Sequence, residues 1–246
     1  MPSTDIIGIK GKTALISGST RGVGFAVAAL LARAGARVVL NYHNDSARAD
    51  VALYHLKEAG AEAIAVRADV SREEDALRLV QEAVTAFGPI DILVNNAHGR
   101  IIREKFGQTD WATHQSHIDG IVKGAYHLSC LVLEGMKERG WGRIVNIGNN
   151  MLTQPITGYS GVAAAMGALF AGPYGVTVNM VSPGFVMTEE APHTNEAVLA
   201  AIKAATPLGR LAAPDDVAGA VLFFCSDLGR FVTGANRSVD GGKLMG

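Results

Sequence analysis

Gly18, Gly22 and Gly24 stand between an apolar run, Ala14-Leu15-Ile16, and a helical pattern carried by Val27, Leu30 and Leu31. Glycines at this spacing act through the backbone. The first permits a sharp turn, the middle one lets main chain approach a ligand closely, and the last lets helix pack on strand. Unpaired N–H groups at the helix start, at the positive end of its dipole, then face whatever lies over the turn, and a pyrophosphate suits that place. Thr20, Arg21 and Val23 are interleaved with the glycines and share this cradle. Two further pairs, Asp69-Val70 and Asn95-Asn96, stand where apolar runs end. Open α/β sheets bind ligands at the carboxyl ends of their strands, so Asp69 is either a ligand contact or a helix-entry residue. Asn95 either fixes the sheet end and a ligand ribose or serves turn chemistry.

The elements that must position these groups follow from periodicity. Residues 37–42 form a second strand entered through Ala34-Gly35, which completes a βαβ unit. Residues 45–60 have helical spacing, and 62–66 form a third strand. Ser71 with Glu74 predicts a capping box for a helix over 72–87. After the break at Gly88-Pro89, residues 90–97 are a fourth strand running into amides; a long helical region covers 110–139, a fifth strand 142–148 and a sixth 176–181. In dinucleotide sites an acidic residue ending the second strand holds the ribose 2′-OH, whereas a basic one accommodates a 2′-phosphate. That position falls at Tyr42, no carboxylate precedes Asp45, and Arg21 is within reach. The pattern favours NADP over NAD, with Asn41 and Arg21 as phosphate neighbours; a solvated loop charge is the alternative for Arg21.

Composition narrows the class. With 246 residues, 48% of them hydrophobic, the chain fits one large α/β domain over 1–246. A net charge of −1 gives no field that would draw nucleic acid or an anionic membrane, so small molecules are the expected partners. No apolar run reaches the roughly 18 residues of a membrane span, and the start lacks the order of a signal peptide, so the expected location is cytoplasmic. Cys130 and Cys225 both sit in apolar helical patterns and are expected to be buried free thiols; no metal-ligand spacing is present.

The Gly-x-x-x-Gly-x-Gly turn, Asn95-Asn96-Ala97-His98-Gly99, and Pro183-Gly184 with Thr188 resemble motifs of the short-chain dehydrogenase/reductase family. The tail segments 209–217 and 231–242 resemble its 3-oxoacyl-(acyl carrier protein) reductase members, and the resemblance covers nearly the whole chain. It implies a three-layer, doubly wound, mainly parallel seven-stranded sheet. It also implies that Asp69 and Val70 border the adenine, that Asn95, Ala97, Pro183 and Gly184 belong to the cofactor site, and that the Val186 backbone and Thr188 hydroxyl hold the nicotinamide carboxamide. Residues 189–207 would form a lid over substrate.

The family's chemistry rests on a Ser, a Tyr and a Lys. Here Tyr159 supplies the hydroxyl that gives a proton to a carbonyl and contacts the cofactor, while Asn149 stands at the Ser position and Ala163 at the Lys position. No lysine occurs between Lys137 and Lys203. His98 replaces a family glycine and is expected to face the surface; Ile121 replaces an Asn that helps hold a relay water. The helix after Tyr159 is one to two turns short. With the preceding long helix it usually builds the family's tetramer interface, so a homo-oligomer, dimer or tetramer, is expected. The implied activity is NADP-dependent reduction of a small carbonyl, or oxidation of an alcohol, by hydride transfer. The alternative is a catalytically degenerate member that binds a dinucleotide and acts by binding or assembly.

Overall fold

A computed structural model describes residues 6–99, 110–149, 174–189 and 194–244, apart from the His114 side chain. Tyr159, Ala163 and the short helix after Tyr159 lie outside the described residues. In chain order the elements are β1 (Thr13–Ile16), α1 (Gly22–Arg33), β2 (Arg37–Tyr42), α2 (Ser46–Glu58), β3 (Ala63–Arg67), α3 (Glu73–Phe87) and β4 (Ile92–Asn95). There follow α4 (Trp111–Ile118), a π-helical turn (Asp119–Lys123), α5 (Gly124–Glu138), β5 (Gly142–Ile147), β6 (Val176–Pro183), α6 (Glu196–Ala204), α7 (Pro214–Cys225) and β7 (Asn236–Val239).

The strands form one seven-stranded sheet in the order β3-β2-β1-β4-β5-β6-β7, with every pairing parallel. Alternation along each strand splits the core into two layers. Ala14, Ile16, Val38, Leu40, Ile92 and Val94 face α1, α2 and α7 through Val27, Leu31, Leu56, Val221 and Phe224. Leu15, Val39, Leu93 and Ile144 point the other way, onto Leu79, Leu128, Val132 and Met136 of α3 and α5. Because β2 and β4 both flank β1, the winding reverses there, and a crevice opens beyond the carboxyl ends of β1 and β4. Among the described residues no helix is long and apolar enough to cross a membrane.

Three local expectations change. The predicted capping box at Ser71 does not form: the Ser71 hydroxyl donates to Asp69 Oδ1 at 2.7 Å, and Arg72, the N-cap of α3, has no side-chain cap. Asp69 wins that hydroxyl because its turn is closed by Ser71 N as well, at 3.0 Å, while Asp75 Oδ2 accepts from Asp69 N at 3.0 Å. The long helix over 110–139 is interrupted by the π turn, where Gly99 N donates to Gly120 O at 2.8 Å and a Cβ on Gly99 would lie 2.9 Å from Gly120 Cα. Cys225 is buried as expected, and burial pushes its thiol up to about 12. Cys130 is exposed. The buried stripe of α5 runs through Leu128, Val132 and Met136 and takes in Ser129, whose hydroxyl meets Asn95, which turns Cys130 outward.

Candidate functional site

The glycine turn is held by side chains that accept or donate to main chain. Ser19 Oγ donates to Ile16 O at 2.7 Å and accepts from Asn41 N at 3.1 Å. Ser17 Oγ accepts from Asn96 N and Ala97 N, both at 3.0 Å, and Asn96 Nδ2 donates to Ser17 O and Gly18 O at 3.0 and 2.9 Å. These braces tie the turn after β1 to β2 and to β4. Two reasons require these glycines. Gly18 and Gly22 have φ of 59° and 53°, and Gly24 sits so close to its neighbours that a Cβ there would lie 2.6 Å from Gly18 O and 2.9 Å from Ser19 Cα.

Two adjoining cavities open over this turn and share Gly18, Arg21, Asn96, Ala97 and His98. The outer one, about 570 Å³, is walled by Thr20, Arg21, Tyr42, His43, Asn44, Arg48, Asp69 and Val70. Asn41 belongs to its wall, but its expected role changes. It is 2% exposed; its Oδ1 accepts from Gly18 N at 3.1 Å, and its Nδ2 donates to Ala68 O at 3.0 Å. A buried amide committed at both ends braces the turn and offers nothing to a phosphate. The basic side chains at this mouth are instead Arg21, at the exposed N-cap of α1, Arg48, whose Nε lies 3.5 Å from Asp45 Oδ2, and His43, whose Nε2 lies 3.8 Å from Asp69 Oδ2. His43 and Arg48 were not singled out from sequence, although a basic residue just past the second strand is a readable signal.

The inner cavity, about 310 Å³, runs from Val23 and Gly24 past Asn95 and Asn146 to Asn149, Pro183, Gly184, Val186, Thr188 and Glu189. Its wall includes Ile121, Val122 and Ala125, brought in by the π turn and the start of α5. Asn95 is 7% exposed: its Nδ2 donates to Asn146 Oδ1 at 2.9 Å and Ser129 Oγ at 3.2 Å, and its Oδ1 has no hydrogen-bond partner. An orphaned buried acceptor lining a cleft is costly unless something donates to it. His98 is exposed as expected, at the junction of the two cavities, with Nδ1 3.0 Å from Gly99 O.

Similarity to other chains bears on this crevice. A family model described as enoyl-(acyl carrier protein) reductase matches residues 18–243. The chain belongs to the short-chain dehydrogenase/reductase family. It is 35% identical over 245 residues to acetoacetyl-CoA reductase of Allochromatium vinosum, covering 95% of this chain and 99% of that one. It is 33% identical to a 3-oxoacyl-[acyl-carrier-protein] reductase of Pseudomonas aeruginosa, covering 96% and 99%. The solved structure of a short-chain dehydrogenase/reductase from Serratia marcescens superposes with a TM-score of 0.87 at 30% identity, covering 96% of this chain and 98% of that one.

The far wall of the inner cavity is anchored. Val186 bridges Ala212, and Met187 N donates to Ala212 O at 2.8 Å. The Ala212 loop is pinned by Arg210, which donates to Asp216 at 2.6 and 2.7 Å, and by Ala213 N, which donates to Asp216 Oδ2 at 2.8 Å. The guanidinium, then the backbone N–H, hold the Asp216 carboxyl down to about 2, below the ordinary 3.8. A folded value below the unfolded one means that the ionised form contributes stability above about pH 4, and that this contribution is lost as pH falls toward about 2. Asp216→Asn is therefore expected to unfold at lower urea than the parent at pH 7, by a small margin because solvent reaches both partners, with the gap closing by about pH 2. Urea midpoints of both proteins across that range check this; a gap that persists undiminished at low pH contradicts it.

Proposed function

We propose that the crevice holds a nicotinamide dinucleotide, with NADP preferred, and that the protein transfers hydride between it and a small carbonyl or alcohol. The observation that carries this reading is the backbone cradle at Gly18–Gly24, where side-chain atoms would fill the space, opening into a cleft that ends beside Asn149 and Thr188. When bound, the cofactor supplies the hydride. The pyrophosphate lies over Gly18, Gly22, Val23 and Gly24 at the start of α1, and Asp69 and Val70 border the adenine. Thr20 and Arg21, joined by His43 and Arg48, face a 2′-phosphate. Asn95 Oδ1 accepts from a ribose hydroxyl, which answers its missing partner. Ala97, Pro183 and Gly184 line the nicotinamide end, where the Val186 backbone and Thr188 hydroxyl hold the carboxamide. Asn149 orients the substrate carbonyl and the Tyr159 hydroxyl passes it a proton. Residues 189–207, which carry α6, lie over the substrate as a lid.

A homo-oligomer is part of the same reading, supported by the exposed Trp111 and Tyr126 along α4 and α5. A second reading, a dinucleotide binder without turnover, is favoured by the loss of the lysine and serine positions at Ala163 and Asn149. Titration with NADPH and NADH by fluorescence is expected to give saturable binding of both, with NADPH the tighter. Tighter NADH binding would reverse the preference, and binding of neither would end both readings.

A further inference from the structure

Gly22, in the middle of the cradle, already has an anion beside it. Its N–H donates to Glu189 Oε1 at 3.5 Å across 167 positions of sequence, and Glu189 Oε2 lies 3.8 Å from where a Cβ on Gly22 would stand. Thr188 closes over the same glycine, its Cγ2 3.3 Å from that point. Helix α1 brings no anion of its own: its N-cap, Arg21, has no side-chain cap, and no acidic residue stands in its first turn. A carboxylate is what the positive end of such a helix attracts. Nor is Glu189 swung in on a long free arm. Met187, two residues before it, is hydrogen-bonded to Ala212, and Gly184 N donates to Val239 O at 3.0 Å, so the strap from β6 is fixed up to its last turn. Glu189 and Gly22 line the same cavity.

We propose that Glu189 is a resident anion on the phosphate cradle, a self-occupying contact that a dinucleotide displaces when it binds. One N–H cannot serve the carboxylate and a phosphate oxygen together, and the two anions repel at that distance. Displacement moves the residue next to Thr188, so filling the phosphate position changes the strap that borders the nicotinamide end. Cofactor affinity is thereby set below what the cradle alone would give, and the entrance to the substrate end responds to whether cofactor is present. This inference rests on the dinucleotide reading above.

The test compares the parent with Glu189→Gln and Glu189→Ala, and with Glu58→Gln, which makes the same charge change on the exposed end of α2. Each folded protein is titrated at low ionic strength with NADPH and with adenosine 2′-monophosphate, which lacks the pyrophosphate. Glu189→Gln is expected to bind NADPH about two- to fivefold tighter than the parent, the range that a charge at a helix N-terminus commands, and Glu189→Ala at least as much. Adenosine 2′-monophosphate should bind all four proteins alike, and Glu58→Gln should match the parent for both ligands. Equal NADPH affinity in the parent and both Glu189 variants overturns the resident-anion role and leaves the cofactor reading standing. Equal tightening of both ligands also overturns it, since the effect is then one of general charge. Absence of NADPH and NADH binding in every protein removes the cofactor reading, and this inference with it.

Discussion

Gly24→Ala is expected to lower stability by about 2 kcal/mol and to weaken NADPH binding at least tenfold. Alanine in the interior of a helix ordinarily stabilises it by about 1 kcal/mol over glycine, so the sign here is decided by space. The added Cβ would meet Gly18 O at 2.6 Å and Ser19 Cα at 2.9 Å, both main-chain atoms of a turn braced from β1, β2 and β4. A flexible side chain could rotate away, but this backbone cannot. Overpacking of that kind costs about 1–3 kcal/mol, here at or above the upper end, and it outweighs the propensity gain. In a chain of this length the melting temperature should fall by about 4–8 °C. Relief of the clash tilts the turn, and its N–H groups then miss the phosphate. Gly219→Ala is the matched control: it sits in the interior of α7, where an added Cβ meets nothing within 4 Å, and it should stabilise. Thermal melts and NADPH titrations of both variants read the result. If Gly24→Ala behaves like Gly219→Ala, close packing is not what requires a glycine there.

The contrast between these glycines shows what a linear reading can reach. Strand, glycine turn and helix at residues 14–31 were legible because hydrophobic period changes from 2 to 3.6 across a fixed turn signal, and the same logic found the strands on either side of the winding reversal. Asn41 was misread because its duties depend on register: β2 pairs Asn41 with Val66, which puts its amide under the turn and against the carbonyl of Ala68. The π turn at 119–123 hid inside an apolar pattern that reads as continuous helix, since a single looser turn barely alters the periodicity. Cys130 turns outward and Ser129 inward because Ser129 has a polar partner on β4, Asn95, at that point of α5. Glu189 at Gly22 joins residues 167 apart and has no local signature at all.

Tyr159→Phe is expected to reduce turnover by about 10²–10⁴-fold while changing NADPH affinity far less, because the change removes one hydroxyl whose main action is on the reacting carbonyl. On the proposed reading the phenol is the one member of the family's Ser, Tyr and Lys set that the sequence keeps, since no lysine occurs between Lys137 and Lys203. Loss of the motif lysine also bears on direction. Carbonyl reduction draws on a neutral phenol, whereas alcohol oxidation needs the phenolate, which a nearby cation favours. Carbonyl reduction should therefore hold up through neutral pH, and alcohol oxidation should climb as pH approaches ~10. Ala163→Lys places a lysine four residues after Tyr159, the spacing of the family motif, and should move the oxidation profile toward neutrality. Steady-state rates with a panel of ketones and alcohols between pH 6 and about 10, for the parent and both variants, read these outcomes. Full turnover in Tyr159→Phe would mean that another group carries the proton. Tight NADPH binding with no turnover in the parent, and turnover appearing only in Ala163→Lys, would make the natural protein a binder whose cradle outlived its chemistry.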